Sequence, residues 1–347
     1  MSTTLTPAPP GPPVDPLEAL IKEARRRARR RRALYGVSAL CAAAAAVAGF
    51  YGFDDGGGHA QARGAERTAS HQQARLGRTS RAVKNGPLAL ITGSYSNRIE
   101  LIGPRGHFFR SLPICREPRC GELQSAAWSP DGRTLAYGTA SGADWHPQDG
   151  LHLFDLARNK DRRIPAGYGN WQDLAWSPDG TRLAYVIGAN IEIIGLARAG
   201  RPTELTAAGT SPSWAPSGRL IAYDRFHGSA VGEATWGIYI SRVDGSHVRR
   251  LSKWGNAPVW SPDGSLIAYS ARCGIKLMTP AGKDVTPVSA WTCLHIGLPG
   301  AATWSPDGRK LAIAGKDGVY VMNADGSGLT RIWAGHAMRP AWRPRSR

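Results

Sequence analysis

The side chains of this 347-residue chain that suit binding or chemistry are mainly tryptophans and histidines. Six of the 12 tryptophans and six of the nine histidines lie between copies of a repeated segment, rather than within them, and the six tryptophans with four of these histidines are the candidates. Large amphipathic rings suit the binding of a peptide segment, another protein or a sugar polymer. The alternative is that these tryptophans only pack the intervening segments onto the fold. The ten candidates are Trp145, His146, Trp171, His227, Trp236, Trp254, Trp291, His295, Trp333 and His336.

Motifs for catalysis or metal binding are missing from the sequence. It contains no Gly-x-Ser-x-Gly elbow, no His-Glu-x-x-His motif and no phosphate-binding loop. No pair of the candidate histidines has the spacing of a zinc site. We therefore predict no catalytic residue, no cofactor and no metal ion.

The elements that would position the candidates come from an internal repeat. Segments of the form Trp-Ser-Pro-Asp-Gly-x-x-Leu/Ile-Ala-Tyr recur 38 to 48 residues apart, the spacing of four-stranded propeller blades. Pro and Gly suit a tight hairpin turn, and Asp can bond the backbone just beyond it. The aspartates therefore serve as turn formers, whereas Trp and Leu-Ala-Tyr pack between blades. The repeats begin at Trp128, Trp176, Trp214, Trp260, Trp304 and, cut off by the C-terminus, Trp342.

This repeat resembles that of TolB-like propellers, which also occurs in the propellers of prolyl oligopeptidase-type enzymes. The resemblance covers about residues 86–347 and implies an all-β, six-bladed β-propeller of four-stranded blades. Segments 88–91, 98–102 and 108–112 supply the second to fourth strands of one blade, and Pro340 to Trp342 supply its first strand, so the two ends would close the ring together. TolB carries an additional α/β domain ahead of its propeller, and this sequence has a different segment there.

The candidates all map to one side of such a ring. Connections between first and second strands, and between third and fourth strands, share one side, which we call the turn face. Second-to-third connections and links between blades share the other side, which we call the loop face. The expected irregular loops of the loop face are 139–150, 166–173, 225–237, 252–258, 289–301 and 333–340. Functional residues are concentrated on such loops.

Ahead of the propeller, the sequence predicts four segments. Residues 1–14 form a Pro-rich disordered tail, 15–32 a basic helix, 33–53 a transmembrane helix and 54–86 a flexible linker, followed by the propeller at 87–347. The arginine-rich segment before the apolar stretch and Asp54 and Asp55 after it place the N-terminus in the cytoplasm. Cleavage near Ala46–Ala48, giving a secreted protein, and a lipid anchor at Cys41 are the alternatives.

The remaining cysteines agree with export to an oxidising compartment. Cys115 and Cys120 are close in sequence, and Cys273 and Cys293 flank the third and fourth strands of one blade. We expect a disulfide bond within each couple, although the sequence alone leaves the connectivity open.

The partner expected from these features is a protein or peptide of a bacterial cell envelope, or an envelope polysaccharide, bound by a membrane-anchored module. Of the net charge of +18, +8 lies in residues 1–86. The remaining +10 is scattered among turns rather than gathered in one stripe, which disfavours nucleic acid. One alternative is a propeller enzyme, a hydrolase, lyase or cyclase with its site at the channel mouth. Another is signalling through the cytoplasmic arginine-rich helix. The sequence does not indicate an oligomeric state.

Overall fold

The computed structural model describes residues 85–92, 98–114, 121–140, 149–164, 172–197, 202–206, 208–229, 232–271, 274–287 and 302–344. They form six four-stranded antiparallel sheets, which are the blades of a β-propeller. Most of residues 1–86, with the predicted membrane segment, and all five cysteines lie outside the described residues. Within the described residues no helix is long and apolar enough to cross a membrane.

The strands follow the repeat in chain order. Blade 1 contains β1 (Asn85–Thr92), β2 (Arg98–Ile102) and β3 (Phe108–Ser111). Blade 2 contains β4 (Glu122–Trp128), β5 (Thr134–Ala140), β6 (Gly150–Asp155) and β7 (Lys160–Ile164). Blade 3 contains β8 (Gln172–Trp176), β9 (Arg182–Ile187), β10 (Asn190–Gly195) and β11 (Thr203–Thr206).

Blades 4 to 6 repeat this arrangement. Blade 4 contains β12 (Thr210–Trp214), β13 (Leu220–Ser229), β14 (Gly232–Arg242) and β15 (Arg249–Ser252). Blade 5 contains β16 (Asn256–Trp260), β17 (Ile267–Ala271), β18 (Gly274–Met278) and β19 (Asp284–Pro287). Blade 6 contains β20 (Ala302–Trp304), β21 (Lys310–Gly315), β22 (Gly318–Asn323) and β23 (Thr330–Ala334). The last strand, β24 (Met338–Pro344), pairs with β1 and completes blade 1.

The predicted closure of the ring is therefore confirmed. The sheet of blade 1 has the order β24-β1-β2-β3, so the two ends of the propeller share one blade. The Arg343 guanidinium donates to the Gly132 carbonyl at 2.7 Å, which links the last strand to the turn of blade 2. The Asn85 side chain donates to Asp307 at 3.0 Å, which links β1 to the turn of blade 6.

The hydrophobic core lies between adjacent blades, as expected for a propeller. The motif tryptophan of the first strand is buried in five blades and half-buried in blade 3, at Trp176. The Trp176 indole donates across the blade interface to the Ala127 carbonyl at 3.0 Å. The motif tyrosines Tyr137, Tyr185 and Tyr223 are fully buried. These residues hold neighbouring sheets face to face and keep the first strands around a common centre.

The Ser-Pro-Asp-Gly segments are turns, and their aspartates bond within them. In blade 2, the Ser129 hydroxyl donates to Asp131 at 2.6 Å, and the Arg133 amide donates to the same carboxylate at 3.0 Å. The Ser129 oxygen in turn accepts the Thr134 amide at 2.9 Å. The assignment of these aspartates to turn formation agrees with this geometry.

The expectation of an irregular loop at 225–237 is wrong. The second and third strands of blade 4 continue as a paired hairpin, with Phe226 opposite Trp236 and His227 opposite Thr235. Rings opposite one another on paired strands stabilise the ladder, which explains why pairing extends so far. This hairpin makes blade 4 longer than its neighbours on the loop face.

Candidate functional site

The first strands of the six blades surround a central channel. Strands β24, β4, β8, β12, β16 and β20 contact one another in this cyclic order. Each first strand runs from the loop face to its tryptophan at the turn face. Residues at the start of these strands therefore lie at the mouth of the channel on the loop face.

A backbone feature recurs at this mouth, three residues before the tryptophan of the repeat. Asp173, Ser211, Ala257 and Arg339 occupy this position in four blades, and all have left-handed backbone conformations, with φ between 39° and 53°. The pairing of each of these strands with its neighbour is irregular at the same point. Such bulges redirect side chains and are common near binding sites.

An ion pair spans the mouth. The Nη1 atom of Arg339, on β24, contacts the Oδ1 atom of Asp173, on β8. Strand β4 lies between these two strands in the ring, so the pair reaches over one blade. The other Asp173 oxygen accepts the Ser211 amide at 3.0 Å and faces the Ser211 hydroxyl at 3.3 Å. One carboxylate thus connects blades 1, 3 and 4.

The two partners of this ion pair differ in exposure. The Asp173 side chain is 5% exposed, whereas 36% of the Arg339 side chain is open to solvent in the channel. Desolvation by the surrounding first strands lowers the pKa of the Arg339 guanidinium to about 10. Because this pKa is still well above 7, Arg339 is a cation at neutral pH.

A second buried carboxylate supports the next bulge. Asp224, on β13, accepts the Ala257 amide of blade 5 at 2.6 Å and also bonds the Thr210 hydroxyl. Burial raises the pKa of this carboxyl, although these hydrogen bonds partly oppose the shift. Asp173 and Asp224 therefore have the same structural role at successive blade interfaces. Each accepts a hydrogen bond from the backbone amide of the left-handed residue in the following blade.

The extended hairpin of blade 4 carries rings on both of its faces. On the face toward blade 5, the Phe226 and Trp236 rings lie 5.2 Å apart, and Phe226 is 36% exposed. On the opposite face, the His227 Nε2 atom lies 2.6 Å from the Tyr239 hydroxyl. The Arg225 guanidinium lies 5.9 Å from the centre of the Tyr239 ring. The hairpin is thus a paired, aromatic element on the loop face.

Trp254 follows this blade in the link to blade 5, and it is 54% exposed. Its amide donates to the Ser252 hydroxyl oxygen at 3.1 Å, and that hydroxyl donates to the Trp254 carbonyl at 2.7 Å. The backbone of Trp254 is therefore held while most of its ring faces solvent. A large exposed ring on an ordered backbone suits binding, because little freedom remains to be lost.

The structure brings only some of the predicted residues together. His227, Trp236 and Trp254 belong to blade 4 and the link that follows it. Trp333 lies in blade 6, where it is half-buried and packs against the cluster that contains Leu88 and Ala312, which favours a packing role for that ring. His336 is exposed in the link to β24. The predicted residues outside the described ones are Trp145, His146, Trp171, Trp291 and His295.

Sequence reasoning missed Asp173, Asp224 and Arg339, the charged residues at and beside the mouth. A signal for two of them was available in the repeat, since Asp173 and Arg339 both stand three residues before a motif tryptophan. This position lies outside the repeat motif, which extends from each tryptophan toward the C-terminus. Asp224 directly follows the motif tyrosine Tyr223. A carboxylate at the end of an apolar strand was the signal that could have singled it out.

Comparisons with known proteins identify the fold of this chain. No protein-family model matches the chain, and no curated protein matches its sequence. The structure is similar to that of TolB from Acinetobacter baumannii, with a TM-score of 0.60 and 20% identity over 75% of this chain and 67% of that one. It is also similar to a putative TolB from Agrobacterium tumefaciens, with a TM-score of 0.52 and 18% identity over 76% of this chain and 92% of that one. The chain has a TolB-like propeller fold.

Proposed function

We propose that this protein is a membrane-anchored binding module whose loop face, at blade 4, captures a protein or peptide segment outside the cytoplasm. The observation that carries the proposal is the exposed Trp254 ring beside the aromatic hairpin of blade 4. A large exposed ring adds apolar contact area that a partner can bury. Tryptophan is also among the residues that contribute most to protein interfaces.

The scaffold supports this function. The hairpin that carries Phe226 and Trp236 is paired along its length, and its base is fastened to blade 5 through Asp224. Side chains on rigid strands bind with a smaller loss of conformational entropy than side chains on free loops. The exposed rings at blade 4 and the channel mouth are both on the loop face, so one extended ligand could contact both.

The location we propose comes from the sequence. Residues 33–53 are apolar and long enough to span a bilayer, and the arginines before them favour a cytoplasmic N-terminus. The propeller would then lie in the bacterial cell envelope, with protein, peptide or polysaccharide partners within reach. Fusions of alkaline phosphatase and of green fluorescent protein to the C-terminus test this topology, because only the former should be active outside the cytoplasm.

Site-specific crosslinking tests the binding face. A photoreactive phenylalanine analogue is placed at position 254 in the full-length chain, and cells are irradiated. We expect discrete crosslinked partners that decrease when Phe226→Ala and Trp236→Ala are added. The matched control is position 108, since Phe108 is 53% exposed but lies on the outer strand of blade 1. Equal adducts at both positions, or none at 254, would contradict the proposal.

A further inference from the structure

Arg339 places a cation at the channel mouth. Four other described residues stand, like Arg339, three positions before a motif tryptophan, and none of them carries a positive charge. They are Ser125, Asp173, Ser211 and Ala257. Within the described part of the chain, the Arg339 guanidinium has a single polar partner, Asp173. A guanidinium has five N–H donors, so most of its hydrogen-bonding capacity is available to a ligand.

The geometry also indicates which ligand group would fit. The group that Arg339 already binds is a carboxylate, and a guanidinium pairs with carboxylates through two parallel hydrogen bonds. More than a third of the Arg339 side chain faces channel solvent, so a group entering from the loop face can reach it. Asp173 is buried and is held separately by the Ser211 amide, so it keeps its place if the guanidinium turns toward a ligand.

We propose that Arg339 is the anchor for a carboxylate of the bound peptide, either an acidic side chain or a C-terminus, and that Asp173 is its internal competitor. This inference rests on the proposed function, because it identifies the group that enters the mouth when the loop face binds a peptide. The one positive charge of Arg339 matches a single negative charge. A doubly charged phosphate would lie beside the Asp173 carboxylate, and the charge of Arg339 by itself does not balance both.

The charge of Asp173 has a predictable effect on this site. An ionised Asp173 offsets the charge of Arg339, because the two groups are in contact. An asparagine at position 173 can keep its one oxygen on the Ser211 amide, while its NH2 group replaces the oxygen that faces Arg339 and the negative charge is removed. Anions should therefore bind more tightly to the Asp173→Asn protein than to the parent.

The test uses the full-length chain in detergent and short peptides of defined charge. One peptide is blocked at both ends and contains a single central Glu, and its control has Gln instead. A second peptide has no acidic side chain and a free C-terminus, and its control is amidated. Isothermal titration calorimetry with these four peptides distinguishes an acidic side chain from a chain terminus as the anchored group.

We expect Arg339→Gln to weaken binding of the preferred acidic peptide by about tenfold or more. Asp173→Asn should strengthen it by about threefold to tenfold. Neither change should affect the neutral peptides. Arg339→Lys should give an intermediate affinity, because it keeps the charge but lacks the planar fork. The matched control is Arg249→Gln, since Arg249 donates to the carbonyls of Pro280 and Ala281 away from the channel.

Two results would overturn the inference. One is acidic-peptide binding that survives Arg339→Gln in a protein with the parent's melting temperature. The other is an affinity that does not rise in Asp173→Asn, a measurement that decides the matter even if Arg339→Gln fails to fold. In both cases crosslinking at position 254 would still report on the loop face, so failure of this inference is distinguishable from failure of the proposed function.

Discussion

The guanidinium of Arg339 and the carboxylate of Asp173 meet across the mouth of the propeller channel, over the intervening blade 2. The last strand of the chain is therefore fastened to β1 by backbone pairing, to blade 2 by the Arg343 hydrogen bond and to blade 3 by this ion pair. The same ion pair thus contributes to closure of the ring and contains Arg339, the proposed anchor for a ligand. Its contribution to stability can be measured separately from binding.

Arg339→Met should lower the free energy of unfolding by about 1–3 kcal/mol, because it leaves the buried Asp173 oxygen without its cation. The double change Arg339→Met with Asp173→Asn should cost less than the sum of the single changes, by about 1 kcal/mol. Urea unfolding of the full-length parent, the two single variants and the double variant gives this coupling free energy.

The control for this cycle is the surface pair of Arg331 and Asp317, whose atoms lie 2.8 Å apart with both side chains 49% exposed. Its coupling should be below about 0.5 kcal/mol, since solvent screens exposed ion pairs. Equal coupling free energies for the two ion pairs would show that the position in the channel does not strengthen the pair of Arg339 and Asp173.

Asp224→Asn should change how stability depends on pH. Burial raises the pKa of Asp224 in the folded protein above its ordinary value of 3.8. The folded state therefore holds this proton more tightly than the unfolded chain, and the associated stability is present below about pH 4 and lost as pH rises through the folded pKa. Relative to the parent, the Asn variant should become progressively more stable as pH rises over this interval, as followed by urea unfolding.

Asp179→Asn should show the opposite sign. The Ser177 hydroxyl, with the Thr181 amide and hydroxyl, lowers the pKa of Asp179 to about 2. The parent therefore has an advantage above about pH 4 that it loses as pH falls toward 2. Because Asp179 is exposed, we expect this advantage to be only about 1 kcal/mol. The same pH trend in both variants would contradict the conclusion that burial raises the pKa of Asp224 and that hydrogen bonds lower the pKa of Asp179.

Gly132→Ala should destabilise the protein more than Gly180→Ala, although the two glycines occupy the same turn position. Both have a positive φ, 67° and 70°, so alanine is strained by about 1 kcal/mol at either site. A Cβ atom at Gly132 would lie 2.0 Å from the Pro344 carbonyl oxygen of the last strand, whereas at Gly180 the nearest atom is the Pro130 side chain at 3.7 Å. Thermal unfolding should therefore show a much larger loss for Gly132→Ala.

Limited proteolysis adds a second measurement for this pair. Displacement of Pro344 should expose the C-terminal strand and its buried Trp342. Gly132→Ala should therefore speed chymotrypsin cleavage after Trp342, whereas Gly180→Ala should not. Equal effects of the two substitutions would mean that the contact with Pro344 is not needed for closure.

Blade 4 lacks the serine and aspartate of the other complete turns and has Ala215 and Ser217 instead. In blade 5, the Ser261 hydroxyl donates to Asp263 at 2.6 Å and its oxygen accepts the Leu266 amide at 2.9 Å. Ala215→Ser with Ser217→Asp should rebuild both bonds in blade 4 and raise the free energy of unfolding by about 1 kcal/mol.

The single change Ala215→Ser is the control for this gain. Position 215 is buried, so a hydroxyl there without the aspartate acceptor should give less stability than the pair. If both proteins are equally stable, the Ser–Asp bond does not contribute to the turn.

Much of the fold could be predicted because its signals are local. The Ser-Pro-Asp-Gly turn depends on contacts between residues at most five apart, as between Ser129 and Thr134, so each copy indicates a hairpin by itself. The unmatched strands at the two ends of the repeat also predicted that β24 would join β1. The extent of the blade 4 hairpin was missed, because its pairing is stabilised by cross-strand rings such as Phe226 and Trp236 rather than by turn residues.

The sequence by itself determined the blade, its repetition and the closure of the ring, since these follow from spacing, turn chemistry and apolar patterning. Only the tertiary structure decided which residues meet at the channel mouth. Asp173 and Arg339 are far apart in the chain and lie two blades apart, and they come together because six blades closed on one axis bring their first strands to a common centre. Their left-handed backbones depend on the bulges where those strands begin, and Asp173 supports the bulge at Ser211 in the following blade.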